Sequence, residues 1–245
     1  MSEIGVLSID RGGFLAERDI IFASSLEEPD MSLKKKENKQ NREEFLAHFN
    51  IAEDEVAYMD VAYGNTPLMV QVKGRYTCDG LFTKLPIPLA LATADCFPVL
   101  IFDERKRRIA LLHCGWKGAV EELPLRLLYH AWDLGFRDAM LANIHVFFGP
   151  GICGDHYMVT DPIQLKFGKD SLALWMKFMR LKDSKVNLWK VDLAGYMKFR
   201  LVEYGVREGN ILYSPLLCTW EWSSLPSYQR GDRERRFLTV TMIKT

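Results

Sequence analysis

The sequence has no excess of either charge: 32 basic residues are matched by 32 acidic ones over 245 positions. Such a balance gives no electrostatic case for a nucleic acid as the main partner. No apolar run approaches the roughly 18 residues that a membrane-spanning helix needs, so no membrane partner is expected. The opening MSEIGVLSIDRGG has neither a basic segment nor an apolar one, and is not expected to act as a secretory signal. Cysteine is sparse and unpaired in pattern. Cys78, Cys96, Cys114, Cys153 and Cys218 are odd in number and form no CxxC pair, which predicts free thiols and a cytoplasmic protein. Repeats, low-complexity segments and a clear linker are all missing, so residues 1–245 are expected to form a single domain. The 48% hydrophobic content is enough for one large core or two small ones.

What is present concentrates in residues 93–118, TADCFPVLIFDERKRRIALLHCGWKG. Two short runs rich in Val, Ile, Leu and Phe, 98–102 and 109–112, flank a charged turn and read as buried strands. Antiparallel pairing across that turn brings the start of one strand beside the end of the next. Cys96 and His113 would then be neighbours. A Cys beside a His favours a thiolate, or the two can share a metal. The following Gly115-Trp116-Lys117-Gly118 opens into a helix-like pattern through residues 119–135. Glu121 and Glu122 suit its start, and Pro124 is tolerated near a first turn. A glycine-flanked strand-to-helix turn carrying Lys117 is a plausible anion site.

Elsewhere the pattern predicts strands near 4–9 and up to 22 and a strand–turn–strand over 55–72. Further strands are expected at 88–93, 143–148, 211–213 and 237–243, with a helix over 162–182. The lysine run at 34–36 reads as the solvated start of an amphipathic helix carrying Phe45, Leu46 and Phe49. Asp79 reads either as a ligand-orienting carboxylate or, preferably, as a turn cap. His156 reads as an exposed loop histidine, with a weaker claim to be a substitute metal ligand. His48, His130 and His145 have less to offer.

Three segments in register, ADCFPVL (94–100), HCGWKG (113–118) and GPGICGDHYMV (149–159), resemble the signature of the YfiH family. Its members are also called laccase-domain or polyphenol oxidase proteins. The resemblance covers nearly the whole chain and is weakest before residue 75. It implies an α/β (α+β) fold, a layered sandwich with mixed β-sheets between helices, like the catalytic domain of cytotoxic necrotizing factor. It implies an enzyme acting on purine nucleosides with phosphate, a phosphorylase or deaminase for adenosine, inosine or methylthioadenosine. A peptidoglycan-editing hydrolase and an inactive binding protein remain as alternatives. By the same resemblance, Cys96 and His113 are the catalytic pair or zinc ligands, and Lys117, Arg230 and Tyr157 bind substrate or anion. The family's third zinc ligand is a His, where this chain has Tyr63. A phenol with a pKa of about 10 is a poor zinc ligand at neutral pH, so zinc binding is expected to be weak. Ser25 stands where relatives have an Arg. No organic cofactor is implied, and the absence of a multi-histidine cluster argues against copper. Nothing in the sequence sets the oligomeric state.

Overall fold

A computed structural model describes residues 5–26, 30–160 and 172–244. The chain starts with β1 (Gly5–Ser8), β2 (Ile20–Leu26) and helix α1 (Lys39–Ala47). Next come β3 (Ala57–Val61), β4 (Pro67–Met69), β5 (Gly74–Cys78), β6 (Gly80–Thr83) and β7 (Leu89–Thr93). The strands β8 (Phe97–Asp103) and β9 (Arg108–Cys114) lead into α2 (Trp116–Val120) and α3 (Leu123–Arg126). They are followed by β10 (Ile144–Phe148), β11 (Met158–Thr160), α4 (Leu172–Trp175), β12 (Met179–Asp183) and β13 (Leu188–Val191). The last elements are α5 (Leu193–Tyr204), β14 (Ile211–Leu212) and β15 (Phe237–Ile243).

These strands form two six-stranded sheets and one of three strands. The orders are β1-β2-β15-β7-β3-β5, β14-β10-β8-β9-β6-β4 and β11-β13-β12. Both large sheets are mixed: β3 runs parallel to β7 and β5, and β10 and β6 pair in parallel with β14 and β4. The fold is therefore a mixed α/β sandwich, with a small antiparallel sheet added to the two expected.

Side-chain alternation explains the layering. In β8 and β9, Leu100, Phe102, Ile109 and Leu111 face the first sheet and pack on Phe22, Met59, Leu89 and Leu91. Val99, Ile101, Ala110 and Leu112 point the other way, onto α2, α3 and α5 through Ala119, Leu123, Met197 and Leu201. On the far side of the first sheet, Ala23, Ala90 and Val240 meet Phe45 and Leu46 of α1. Strands covered on both faces have no polar side, which is why they read as continuous apolar runs.

The strand–turn–strand over 55–72 is present as β3 and β4, which belong to different large sheets. Two sequence expectations need correction. The helix after Trp116 is broken, with Glu122 in the left-handed region at φ 54° and Pro124 in the first turn of the second piece, where its missing N–H costs nothing. The helix read over 162–182 partly falls on 161–171, outside the described residues. Its end is a strand, because Met179–Asp183 pairs with β13.

Gly118 shows how tightly α2 folds back on β9. A Cβ there would lie 2.8 Å from the carbonyl oxygen of His113, a backbone atom that cannot step aside. Gly118→Ala is expected to destabilise the protein by about 1–3 kcal/mol, read as a lower urea midpoint with unchanged slope. A midpoint equal to that of the parent would refute the close packing.

Candidate functional site

His113 is the penultimate residue of β9, and its alternation with Ile109 and Leu111 turns it toward the first sheet. It is 7% exposed. Asp79 occupies the single-residue link between β5 and β6, next to β9. Its carbonyl accepts the His113 N–H at 2.9 Å, and its Oδ1 lies 3.1 Å from His113 Nδ1. The same carboxylate accepts the amide of Tyr63 at 3.1 Å and that of Gly64 at 2.6 Å. Asp79 therefore caps the 61–64 turn, as read from the sequence, and also orients the imidazole.

The pairing of Phe97 with Cys114 brings Cys96 to the end of β9. A Cβ placed on Gly115 would lie 2.6 Å from Cys96 Sγ and 3.9 Å from His113 Cε1, so only glycine leaves room for the sulfur beside the ring. Burial by itself would lower the His113 pKa. The sulfur of Cys96 and the carboxylate of Asp79 outweigh it, raising the imidazole to about 9. Burial would likewise raise Asp79, but the hydrogen bonds from His113 and from the Gly64 and Tyr63 amides hold it below the usual carboxylate range. The group is thus an imidazolium between a carboxylate and a sulfur at neutral pH.

Around this pair, the exposed Lys117 ammonium sits 5.8 Å from the Tyr63 ring centroid and 5.6 Å from that of Trp116. Tyr63 meets His113 edge-on, with centroids 5.9 Å apart. Tyr157 is close enough that, after burial, the charges of Cys96 and Asp95 are what raise its phenol pKa, so it stays protonated.

Other sequence candidates sit differently. Arg230 gives both terminal nitrogens to the carbonyls of Thr219, Trp220, Trp222 and Leu225. It ties a loop together instead of presenting free donors to an anion. Ser25 is buried, and its hydroxyl accepts the Leu238 N–H. His145 pairs with Glu104, and His48 contacts the Glu44 carbonyl. His156, read as an exposed loop residue, is instead half-buried against two sulfurs, with Nδ1 3.2 Å from Cys153 Sγ and 3.6 Å from Cys218 Sγ.

The zinc set implied by family resemblance does not fit the residues at Cys96. Tyr63 is 63% exposed and stands where the family's third ligand is a histidine. Only one sulfur and one imidazole remain there as good donors. Among the described residues, the donors that gather within 4.8 Å are Cys153, His156 and Cys218, which could hold a metal. This group is hard to read from sequence, since His156 and Cys218 are 62 positions apart.

The architecture and the Cys–His–Asp line define an α/β sandwich protein with a buried acid–base pair at the edge of its central strands. A family model described as multi-copper polyphenol oxidoreductase laccase matches residues 29–244, and the chain belongs to that family. It is 32% identical over 168 residues to a purine nucleoside phosphorylase of Deinococcus radiodurans, covering 68% of this chain and 63% of that protein. The chain thus spans less than two thirds of that relative. It is 25% identical over 209 residues to a purine nucleoside phosphorylase of Campylobacter jejuni, covering 84% and 85% of the two chains. Its fold matches that of YlmD from Geobacillus stearothermophilus with a TM-score of 0.79, at 19% identity over 98% of this chain and 97% of that one. No helix among the described residues is long and apolar enough to cross a membrane.

The linked pKa shifts set a pH window. His113 is raised, so its contribution to stability is complete below its unfolded pKa of about 6.5 and lost as pH rises through about 9. Asp79 is lowered, so its contribution is complete above about 3.9 and lost at lower pH. Unfolding free energy should therefore fall between about pH 6.5 and 9, and the fall should flatten in Asp79→Asn. A parent and variant with parallel profiles would contradict the ion pair.

Proposed function

We propose that the chain is an enzyme of the purine nucleoside phosphorylase type, acting on adenosine, inosine or methylthioadenosine with phosphate as co-substrate. The observation that carries this reading is the buried imidazolium of His113, braced by Asp79 on Nδ1 and set beside Cys96. The names of the Deinococcus and Campylobacter relatives supply the substrate class.

In phosphorolysis an oxygen of phosphate bonds to the anomeric carbon of the ribose while the bond from that carbon to the purine nitrogen breaks. The leaving base needs a proton. His113 carries one at neutral pH, and Nε2 is the ring nitrogen on the edge away from Asp79. Asp79 fixes the ring and keeps the charged form favoured, as a carboxylate does for a neighbouring imidazole. Cys96 shares a hydrogen bond with the ring. Lys117 supplies the positive charge for phosphate, and the Trp116 and Tyr63 rings offer faces for the base. Tyr157 serves as a neutral hydrogen-bond partner. Arg230 is left out of the anion contacts because its terminal nitrogens are engaged with carbonyls. The step uses no metal ligand, since the donors at Cys96 do not make a zinc site.

The test is release of free purine from nucleoside with and without phosphate. Phosphate-dependent release is expected, with His113→Gln lowering kcat by about 10²–10⁴-fold and Lys117→Met mainly raising the KM for phosphate. If no nucleoside yields its base, the reading fails. Turnover of a cell-wall precursor would then favour the hydrolase, and inactivity on both would favour a binding protein.

A further inference from the structure

On the turns beyond β10 and β14 a second group of side chains converges, and nothing in the proposed reaction uses it. Cys153 and His156 lie three residues apart in one turn, closed by the His156 and Tyr157 amides donating to the Cys153 carbonyl at 3.0 Å each. Cys218 is brought to them by a parallel bridge from Gly151. In that bridge Gly151 N donates to Leu217 O at 3.2 Å, and Thr219 N donates to Gly151 O at 3.1 Å. A further turn, with the Glu221 and Trp222 amides on the Cys218 carbonyl at 3.1 Å, carries Glu221 over the same spot. Glu221 Oε1 lies 3.6 Å from His156 Nδ1.

The spacing is that of a tetrahedral ion's ligands. Bonds of about 2.3 Å to sulfur and about 2.0–2.1 Å to nitrogen, set at tetrahedral angles, place S and N about 3.5 Å apart. The two measured N···S edges are 3.2 and 3.6 Å. Both cysteines are buried and free of disulfides. The amide of Cys153 donates to Cys218 Sγ at 3.3 Å, a bond that favours a sulfur carrying negative charge. The indole of Trp220 stacks on the His156 ring at an interplanar angle of 8°, fixing the plane in which Nδ1 points at the sulfurs. Two thiolates neutralise a divalent cation, and the more exposed His156 and Glu221 mark the side from which it enters.

We infer that Cys153, His156 and Cys218 form a binding site for a thiolate-seeking ion, zinc, with the Glu221 carboxylate beside its open side. Thiolate and imidazole donors in a tetrahedral set select zinc over the oxygen-seeking divalent cations. Binding replaces two thiol protons, which pass to solvent. The ion joins the turn at 149–157 to the turn at 215–222. Both are attached to Asp95, the residue before Cys96. Its carbonyl accepts Ile152 N at 2.9 Å, and its carboxylate accepts Thr219 Oγ1 at 2.6 Å and Gln229 N at 2.7 Å. The site is thus a clamp behind the Cys96–His113 pair and does not depend on the reaction assigned to that pair.

Full-length protein, reduced and stripped with a chelator, should be titrated with Zn²⁺ and, as an optical probe, Co²⁺. The expected result is one ion per chain, a thiolate-to-cobalt charge-transfer band, protection of two thiols from alkylation and a higher Tm. Cys218→Ser and His156→Asn should lose the band and the bound equivalent, whereas Cys96→Ser should keep both. His156→Asn changes a partly exposed turn residue, so it tests the site even if Cys218→Ser fails to fold. Uptake that follows Cys96 and ignores His156 would overturn the inference, as would reduced protein that takes up neither ion. Loss of nucleoside activity in Cys96→Ser with the cobalt band intact would leave the clamp standing whatever becomes of the phosphorylase reading.

Discussion

The buried carboxylate of Asp79 is the constraint on which the site depends. An ionised carboxylate that is 1% exposed is costly unless its oxygens are satisfied. Here three donors converge on it: the His113 ring and two amides of the turn after β3. The His113 N–H bound to the Asp79 carbonyl adds a second link to β9. One residue therefore joins the two large sheets, since β5 ends in the first and β6 begins in the second. Tyr63 adopts φ 55°, a left-handed conformation unfavourable for a bulky side chain, and it is held there by the amide bond to Asp79. The position of the aromatic ring beside His113 and the charge favoured on the imidazole thus have the same cause.

The sheets set the rest of the geometry. Because β8 and β9 are covered on both faces, their register cannot slip by one residue without moving Leu100, Phe102, Ile109 and Leu111 out of the inter-sheet core. That register opposes Phe97 to Cys114 and Pro98 to His113, so the approach of Cys96 to His113 is enforced by hydrophobic burial well away from either. Each of those fully buried side chains is worth about 1.5–3 kcal/mol. That is far more than the contact between sulfur and ring could supply.

Those features were the ones legible in the sequence. Two apolar runs, a charged turn and a glycine-rich exit were enough to place Cys96 beside His113, because strand pairing across a short turn is local information. The second role of Asp79 was offered but ranked below the turn: a carboxylate beside a glycine reads as a turn residue, and its contact with His113 spans 34 residues. Arg230 looked like an anion contact because its charge is visible in the sequence while the four carbonyls that occupy it are not. Met179–Asp183 was misread as helix because the composition MRLKD suits a helix, whereas pairing with Leu188–Val191 decides the matter. The grouping of Cys153, His156 and Cys218 was out of reach for the same reason: a parallel bridge between distant turns leaves no trace in either segment.

The donor chemistry divides the molecule in a way that bears on what Cys96 and His113 do. An imidazole favoured in its charged form is a poor ligand, since a metal requires the ring neutral. Asp79 and the Cys96 sulfur both stabilise the charged ring and so work against coordination by it. The exposed phenol of Tyr63 does not compensate. At the second cluster the reverse holds: His156 has two sulfurs and a carboxylate oxygen ranged about one nitrogen. On the proposed reading, metal binding thus falls to the cluster and proton transfer to the pair beside Lys117. Asp95 belongs to both, since its backbone and carboxylate hold the turns that carry the cluster while the next residue supplies the sulfur of the pair.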